Sequence, residues 1–400
     1  MTNGHEHWQR NLAVCMLGSF TTIVGMTVVL PFLPLYVAQL GVQGHAAIVQ
    51  WSGVAFGATF LSAALVAPLW GRLADRYGRK LMLIRASLGM TIATVLIGMA
   101  QDVWQLVALR LLTGLLGGYA SGSMALVAAQ TPTERSGWAL GMLSSAIMAG
   151  NLAGPLLGGG LPAVIGIRST FFASAALIGL AFVGTSLLIR EVQRRPKPPG
   201  VRTASAVVLV ATDHRAVVAM LATGVLLMVA NMSIEPIITV YVAELSSDPG
   251  SVTMIAGIVM SATALGAIVS ASRLGRLADR VGHPKIIVGC MAIASALLLP
   301  QAFVSEPWQL VVLRFLMGLS LGGLLPCLAS VIRHNVPEGA VGRFLGYSTS
   351  AQYAGQVVGP LVGGFVGGHI GMAAVFLGTA VLMGLGALLN YQSFLNHRTA

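Results

Sequence analysis

Long apolar runs, separated by short polar stretches, repeat along the whole chain. Each run is about 20 residues or longer, the length that an α-helix needs to cross the hydrocarbon core of a membrane. The pattern therefore predicts an all-α integral membrane protein with twelve transmembrane segments. These segments are numbered 1 to 12 and lie near residues 11–39, 48–70, 81–100, 103–128, 137–161, 168–189, 216–243, 252–273, 286–304, 307–332, 342–366 and 371–393.

The second half of the chain repeats the first at an offset of 204 or 205 residues. The stretch 71–76 (GRLADR) recurs as 275–280 with the same sequence. Further pairs keep the same offsets: Pro31 with Pro236, Tyr36 with Tyr241, Arg110 with Arg314, and Pro155 with Pro360. Six segments are thus repeated in the same order, and both copies enter the membrane in the same direction. This predicts two pseudo-symmetric six-helix bundles with a site between them at mid-depth.

One connection between segments is long, and it separates the two halves. It is basic and Pro-rich, with the sequence RRPKPPG at 194–200. We predict an N-terminal bundle over 1–189, a cytoplasmic linker over 190–215 and a C-terminal bundle over 216–400. The apolar stretch 206–211 is too short to span and is a candidate interfacial segment.

Composition supports the membrane interpretation and gives an orientation. The chain is 56% hydrophobic and 9% charged, whereas soluble proteins carry about 25% charged residues. If the N-terminus lies inside, twenty of the 23 Lys and Arg residues fall at the inner ends of segments or in inner loops, and only Arg168 falls outside; the remaining two, Arg110 and Arg314, lie within segments 4 and 10. By the positive-inside rule, both termini and the linker are cytoplasmic. The net charge of +11 is then a topology signal, and no nucleic-acid partner is expected.

Several other classes of site have no sequence signal. Cys15, Cys290 and Cys327 lie in apolar runs without metal-ligand spacing, so they are expected to be packed in the core. No phosphate-binding loop is found, so ATP is not the expected energy source. The first apolar run is far longer than a signal-peptide core, and we expect no cleavable signal. We predict no metal, no cofactor and no enzymatic activity.

The repeated basic turn follows segment 2 in one copy and segment 8 in the other. Gly78 is expected to turn the backbone with a positive φ. Asp75 lies among basic residues, so it is expected to stay ionised and to accept hydrogen bonds from a neighbouring helix N-terminus. We interpret the turn as an inner gate latch; the alternative is a positively charged loop with a structural cap. The candidate latch residues are Gly71, Asp75, Arg76, Gly78, Arg79, Lys80, Asp279 and Arg280. The second copy has His283-Pro284 at the position of Arg79-Lys80, so a weaker latch is expected.

Glu235 is the one acidic residue placed well inside a segment. An ionisable group in the membrane is costly, and it indicates a functional site by default. Pro236 follows it and is expected to loosen the helix. Loss of hydration favours the neutral form of a carboxyl group, so we expect Glu235 to bind and release protons. The alternative is a structural acid paired with Arg110, Arg314 or a polar residue.

Segments 4 and 5 carry two further candidate motifs. Arg110 lies in segment 4 and needs a partner or a water-filled cavity; a coupling role and a structural ion pair are both open. Gly114 and Gly118 are expected to let another helix approach closely. In segment 5, Pro155 lies among glycines on a flat face. This motif is a hinge, a tight packing surface or both, and its residues are Gly150, Gly154, Pro155 and Gly158.

Polar and soft side chains on the same helical faces are candidates for a substrate cavity. Met228, Asn231 and Glu235 share one face of segment 7 at spacings of three and seven residues. The candidate cavity residues are Met228, Asn231, Asn151, Tyr353 and Gln356. The 18 methionines suit a site that tolerates varied apolar ligands, although core packing is their commoner use.

The turn at 71–80, with its echo at 275–285, resembles the loop signature of the major facilitator superfamily. Arg110 with Gly114, and the segment 5 glycines with Pro155, are similar to motifs of its twelve-span drug:proton antiporters. The resemblance covers essentially the whole chain, and the stretch from Leu30 onward is most similar to bacterial multidrug exporters. It implies that Asp75 belongs to an inner charge relay that stabilises the outward-open state. It also implies that Arg110 assists proton coupling and that Gly154-Pro155 serves the rocking of the helices.

One departure from that family pattern matters. Several drug antiporters carry an acid in segment 1, but residues 21–30 contain none. The proton acceptor is therefore expected elsewhere, and Glu235 is the candidate.

The sequence thus predicts a proton-driven exporter of drug-like compounds in the bacterial inner membrane, working by alternating access as a monomer. Its partners are the small-molecule substrate, protons and the lipid bilayer. Export of a sugar or other metabolite is the alternative, but it would need more polar and aromatic cavity residues. A channel would lack the internal repeat, and an intramembrane hydrolase would need a nucleophile–base pair at depth.

Overall fold

A computed structural model describes residues 7–191, 214–337 and 340–396. Within these ranges the chain is helical and contains no β-strand. Most of the linker predicted over 190–215, including the stretch 206–211, lies outside the described residues. The division into domains at that linker therefore stays a prediction.

The helices of the first half follow the predicted segments closely. Segments 2, 3, 5 and 6 are single helices, whereas segments 1 and 4 are interrupted. The helices are Trp8–Thr27, Leu33–Gln39, His45–Tyr77, Arg79–Gly98, Val103–Leu116, Tyr119–Gln130, Ser136–Ile165 and Ile167–Leu188.

The second half repeats this order, with interruptions in segments 7 and 10. Its helices are His214–Ile234, Ile238–Leu245, Val252–Val281, His283–Gln301, Pro307–Leu321, Leu324–His334, Val341–His369 and Met372–Asn396. Interruptions thus fall at equivalent positions in the two halves, which confirms the internal repeat at the level of the backbone.

Eleven helices of the described residues are long and apolar enough to cross a membrane. Segment 11 (Val341–His369) is a helix of 29 residues but is not among the eleven. Ser348, Thr349, Ser350, Gln352 and Gln356 lower its hydropathy. Its buried face is formed mainly by glycines rather than by large apolar side chains.

The chain forms two compact units. Unit 1 comprises Met1–Gly44, Val54–Arg195 and Ser246–Ser261, and unit 2 comprises His45–Gly53, Pro196–Leu245 and Ala262–Ala400. The same contacts recur inside each unit. In unit 1 the Tyr36 hydroxyl donates to the carbonyl oxygen of Ile97 at 2.5 Å, and in unit 2 the Tyr241 hydroxyl donates to that of Gln301 at 2.9 Å.

Candidate functional site

Segment 7 is interrupted at Glu235. The helix His214–Ile234 gives way to a 3₁₀ turn over Glu235–Ile237, and a second helix begins at Ile238. Pro236 has no N–H to donate to the preceding turn, so the regular helix cannot continue through it. The predicted loosening at Pro236 is confirmed. The equivalent turn in segment 1, Leu30–Phe32, has leucine at the matching position, so the acid is particular to unit 2.

Arg314 of segment 10 is the cation that interacts electrostatically with Glu235 inside unit 2. Only 2% of Arg314 is exposed, and its Nε and Nη2 atoms are buried without a hydrogen-bond partner. Its guanidinium lies 5.8 Å from the ring centroid of Phe376. Among the described residues, no salt bridge within 4.0 Å joins Arg314 to Glu235. The two groups therefore interact through space without forming an ion pair.

Two of the predicted cavity residues meet in unit 2. The Gln356 side-chain amide donates to the sulfur of Met228 at 3.6 Å. Asn231, one helical turn before Glu235, has a buried Oδ1 without a partner. Tyr353 is half-buried three residues before Gln356. Unit 2 therefore contains, one helical turn from the Glu235 carboxyl group, a buried acceptor atom without a hydrogen-bond partner, Asn231 Oδ1. Asn151 is exposed and belongs to unit 1.

Arg110 is the counterpart of Arg314 in unit 1, and its surroundings differ. It is 4% exposed, and its Nε donates to the carbonyl oxygen of Ala55 at 3.4 Å. The guanidinium lies 6.0 Å from the ring centroid of Phe56. No carboxylate forms a salt bridge with Arg110 among the described residues. Each unit thus buries one arginine, but only unit 2 places an acid near it.

The two glycines that follow Arg110 have different roles. A methyl group added at Gly114 would overlap the carbonyl oxygen of Thr59 in segment 2, so the predicted close helix approach is confirmed there. The same prediction was wrong for Gly118. Gly118 has a φ of 102° and lies where the helix of segment 4 is interrupted. Glycine suits this position because it adopts the left-handed region without strain.

Sequence reasoning missed the side chains that hold this break. The Trp70 Nε1 donates to the carbonyl oxygen of Leu115 at 2.8 Å, and Arg85 Nη2 donates to that of Gly117 at 2.9 Å. The Arg85 guanidinium stacks 3.6 Å from the Trp70 ring centroid. A backbone carbonyl freed inside a membrane must find a donor, and these two side chains supply it. The available signal was a basic residue four positions inside segment 3.

The turn at 71–80 has the expected backbone but an unexpected cap. Gly78 has a φ of 96°, as predicted. The N-terminus of segment 3 is capped by Glu191, whose carboxylate accepts from the backbone N–H groups of Arg79 and Lys80, both at 2.8 Å. Asp75 is exposed. The acid that accepts hydrogen bonds from the N-terminus of segment 3 is Glu191, and not Asp75 as predicted. The sequence carries no signal for this contact, because Glu191 lies 112 residues from Arg79.

The second copy of the turn is built differently. Gly282 again has a positive φ, of 104°. Asp279 and His283 approach to 3.5 Å within the turn, and the His283 ring lies 6.2 Å from that of His334. Arg280 is exposed, as are Gly71 and Arg76 in the first copy. In the second turn His283, which stands in place of Arg79, thus contacts Asp279 within the same turn.

The glycines of segment 5 pack against segment 1 in unit 1. A methyl group at Gly158 would overlap the carbonyl oxygen of Val28, and one at Gly154 would overlap the Thr27 hydroxyl. A methyl group at Gly150 would lie 2.9 Å from Cβ of Ile23. The tight-packing interpretation is therefore confirmed. The hinge role stays a prediction.

Pro155 faces a different neighbour from these glycines. Its carbonyl oxygen would overlap a methyl group at Gly257 of segment 8, and a methyl group at Gly159 would lie 2.8 Å from the carbonyl oxygen of Thr253. Ser261 Oγ donates to the carbonyl oxygen of Leu152 at 2.8 Å. Segment 5 thus uses one face for segment 1 and another for the N-terminal end of segment 8, all within unit 1.

Comparisons with known proteins agree with this architecture. The family model described as Major Facilitator Superfamily matches residues 15–290 and 220–398. The chain is 42% identical over 392 residues to multidrug resistance protein MdtG of Escherichia fergusonii, covering 98% of this chain and 96% of that protein. It is also 42% identical over 394 residues to the MdtG protein of Salmonella typhimurium, covering 98% of both.

Solved structures share the fold at low sequence identity. A crystal structure of nucleoside transporter NupG has a TM-score of 0.75 at 13% identity, over 96% of this chain and 100% of that one. A structure of the human organic anion transporter MFSD10 has a TM-score of 0.69 at 18% identity, over 96% of this chain and 99% of that one. These similarities show the fold alone. With the family match and the relatives at 42% identity over nearly their full length, they show that the chain is a multi-pass membrane transporter belonging to the major facilitator superfamily.

Proposed function

We propose that the protein exports drug-like lipophilic compounds in exchange for protons, and that Glu235 is the proton-binding group. The observation that carries the proposal is the placement of this carboxyl group at the break in segment 7, next to a buried Arg314 with two unpartnered nitrogens. The relatives named for multidrug resistance support the substrate class.

The charge balance of this site gives exchange a physical basis. With Glu235 ionised, its charge offsets that of Arg314, and the site is neutral overall. With Glu235 protonated, Arg314 is a buried cation without a counterion, which is unfavourable in a low-dielectric surrounding. A cationic substrate is therefore repelled by the protonated site and accepted by the ionised one. A neutral substrate competes by displacing the water that hydrates the carboxylate.

The soft and polar neighbours of Glu235 suit substrates of varied shape. Met228 is flexible and polarisable, and Asn231 and Gln356 offer hydrogen-bonding groups without fixed charges. We propose that these three residues and Tyr353 contact substrate in unit 2 and that Asn151 does so in unit 1. Arg110, buried without a carboxylate partner in the described residues, is proposed to assist coupling from unit 1.

The turn at 71–80 is proposed to be an inner latch, with Glu191 fixing its second half. Gly71, Asp75 and Arg76 are exposed and remain available for contacts that form in another conformational state. Asp279 and Arg280 are proposed to form the weaker second latch. The protein is proposed to act as a monomer in the bacterial inner membrane with both termini in the cytoplasm, as the distribution of Lys and Arg supports.

Proton release from inside-out vesicles tests the coupling. Vesicles are energised with an imposed proton gradient, lipophilic cations or neutral antibiotics are added, and the change in internal pH is recorded. Wild type is expected to release protons on addition of a substrate, and Glu235→Gln is expected to release none. Glu244→Gln, which removes an exposed acid at the end of the same segment, is the matched control and is expected to resemble wild type.

Full coupling in Glu235→Gln would remove Glu235 from the mechanism. Absence of proton release with every lipophilic compound, in wild type present at normal levels, would contradict drug export itself.

A further inference from the structure

A cavity of about 440 Å³ lies between segments 7 and 12 of unit 2. Its lining includes Ala219, Ala222 and Thr223 from segment 7 and Gly386, Leu389 and Asn390 from segment 12. The volume lies within the range of about 300–1,000 Å³ that is typical of small-molecule pockets. Thr223 precedes Glu235 by twelve residues, or about 18 Å along a helix. The cavity is therefore separate from the proposed coupling site.

Exposed apolar side chains border the cavity. Val218 and Leu389 belong to its lining and are 62% and 59% exposed. Both residues lie in helices that are long and apolar enough to cross a membrane, so the surface beside the cavity suits contact with acyl chains. A compound dissolved in the membrane can reach it without crossing the protein.

Asn390 supplies one unused hydrogen-bond acceptor at this cavity. The side chain is 2% exposed. Its Nδ2 donates to the carbonyl oxygen of Gly386 and to the Thr223 hydroxyl, both at 2.7 Å. A carbonyl oxygen only accepts, and this fixes which amide atom is nitrogen. The remaining atom, Oδ1, is buried without a partner, and a buried unpaired acceptor is unfavourable until a donor reaches it.

The equivalent position in unit 1 has a protein partner. Thr185 matches Asn390 at an offset of 205, and its hydroxyl lies 2.6 Å from that of Tyr119. The residue that matches Tyr119 in segment 10 is Leu324, which has no polar side-chain atom. Unit 2 therefore lacks a side chain that could form this hydrogen bond with Asn390.

The space itself also has an explanation in the repeat. Ala219 and Ala222 stand where segment 1 has Val14 and Leu17. Leu389 is larger than its counterpart, Gly184, but more than half of its surface is exposed. Val14 is buried in segment 1 where Ala219 leaves space in segment 7, whereas Leu17, the counterpart of Ala222, is 56% exposed.

We propose that this cavity binds a lipophilic small molecule that carries a hydroxyl or amine group, with Oδ1 of Asn390 accepting its hydrogen bond. Among the described residues no charged side chain lines the cavity, so this lining offers nothing to a phosphate, and a phospholipid headgroup is not the expected occupant. The site takes its ligand from the membrane and does not depend on proton coupling.

Photolabelling of the full-length protein tests the site. The protein is placed in phosphatidylcholine nanodiscs, whose lipid carries no hydrogen-bond donor, and is labelled with an octanol that bears a diazirine. The matching diazirine on octane, without the hydroxyl, is the control probe. Peptide mapping is expected to find the alcohol on segments 7 and 12 at about five times the level of the alkane, the ratio that one net hydrogen bond supplies.

Two variants that restore the side chains of segment 1 test the lining. Ala222→Leu and Ala219→Val are each expected to lower labelling of segments 7 and 12 at least about fivefold by filling the space. Ala176→Leu, at an exposed alanine of segment 6 in unit 1, is expected to leave labelling unchanged. Unfolding is monitored for all three, and because both cavity variants carry residues already accepted in segment 1, at least one is expected to fold.

Three results would overturn the proposal. Equal labelling by alcohol and alkane would show that Asn390 does not recognise a donor. Unchanged labelling in a folded Ala222→Leu or Ala219→Val would place the probe elsewhere. Loss of label when phosphatidylethanolamine is added to the nanodiscs would identify a lipid as the occupant.

Discussion

Removing Glu235 and Arg314 singly and together should reveal their electrostatic coupling. The variants are Glu235→Gln, Arg314→Gln and the double substitution. At 4 Å two unit charges attract by about 4 kcal/mol at an effective dielectric constant of 20. No contact as short as 4.0 Å joins the pair, so this value is a ceiling. We expect a coupling free energy of about 1–3 kcal/mol, within the range for interacting neighbours.

The sign of the effect follows from the burial of Arg314. Glu235→Gln leaves the guanidinium buried, with two nitrogens unpartnered and no counterion, and losing one partner of a buried pair costs about 3–5 kcal/mol. The double variant removes both charges, so it should be more stable than Glu235→Gln despite carrying one more substitution. An isolated surface pair would show no such recovery.

Thermal unfolding of purified protein in one detergent at fixed pH measures this cycle. The four proteins are followed by tryptophan fluorescence, and their unfolding free energies are compared at a common temperature. Strict additivity, with a coupling below about 0.5 kcal/mol, is the behaviour of independent sites. That result would refute the claim that Glu235 compensates Arg314.

Three further substitutions test separate parts of the account. Glu191→Gln replaces a carboxylate that accepts two backbone hydrogen bonds by an amide with one acceptor atom, and it should lower the unfolding free energy by about 1 kcal/mol; an unchanged midpoint would contradict the cap. Gly158→Ala should destabilise by about 1–3 kcal/mol through overlap with segment 1, whereas Gly137→Ala, with no neighbour within 4 Å, should be neutral or slightly stabilising. Asp75→Asn should reduce transport severalfold at an unchanged amount of protein in the membrane; loss of the protein on immunoblots would indicate a structural role instead.

Those features of the fold that depend on local sequence were predictable. Apolar runs gave the twelve segments because a membrane helix needs a fixed length of apolar chain. A loosening of segment 7 at Pro236, observed as the 3₁₀ turn Glu235–Ile237, was predictable because proline cannot donate a backbone hydrogen bond. The positive φ of Gly78 followed from glycine chemistry in the same way. Each of these features is fixed by local covalent geometry or by the membrane.

Contacts between distant parts of the chain were not predictable in this way. Glu191 caps Arg79 across 112 residues, and no local pattern links a residue after segment 6 to one before segment 3. The same holds for Arg85 and Trp70, which serve carbonyl groups of segment 4. Gly118 was misjudged because spacing alone cannot separate a glycine that allows close approach from one that breaks a helix.

The candidate coupling site was predictable in part: the sequence identified the acid but not its partner. A lone acid in an apolar segment singled out Glu235 without any structure. The sequence offered Arg110 and Arg314 as possible partners, and the structure places Arg314 with Glu235 in unit 2. The choice depended on which segments pack together, and that information lies in the tertiary fold.

The central claim is that proton exchange through Glu235 drives uphill export. Its most direct test compares two modes of substrate movement in proteoliposomes: accumulation against a gradient under an imposed pH difference, and exchange of labelled for unlabelled substrate at equilibrium. The account predicts that Glu235→Gln loses accumulation of a neutral substrate and retains its exchange, because the uncharged side chain admits this substrate but carries no proton. Accumulation at the wild-type level in Glu235→Gln would contradict the account.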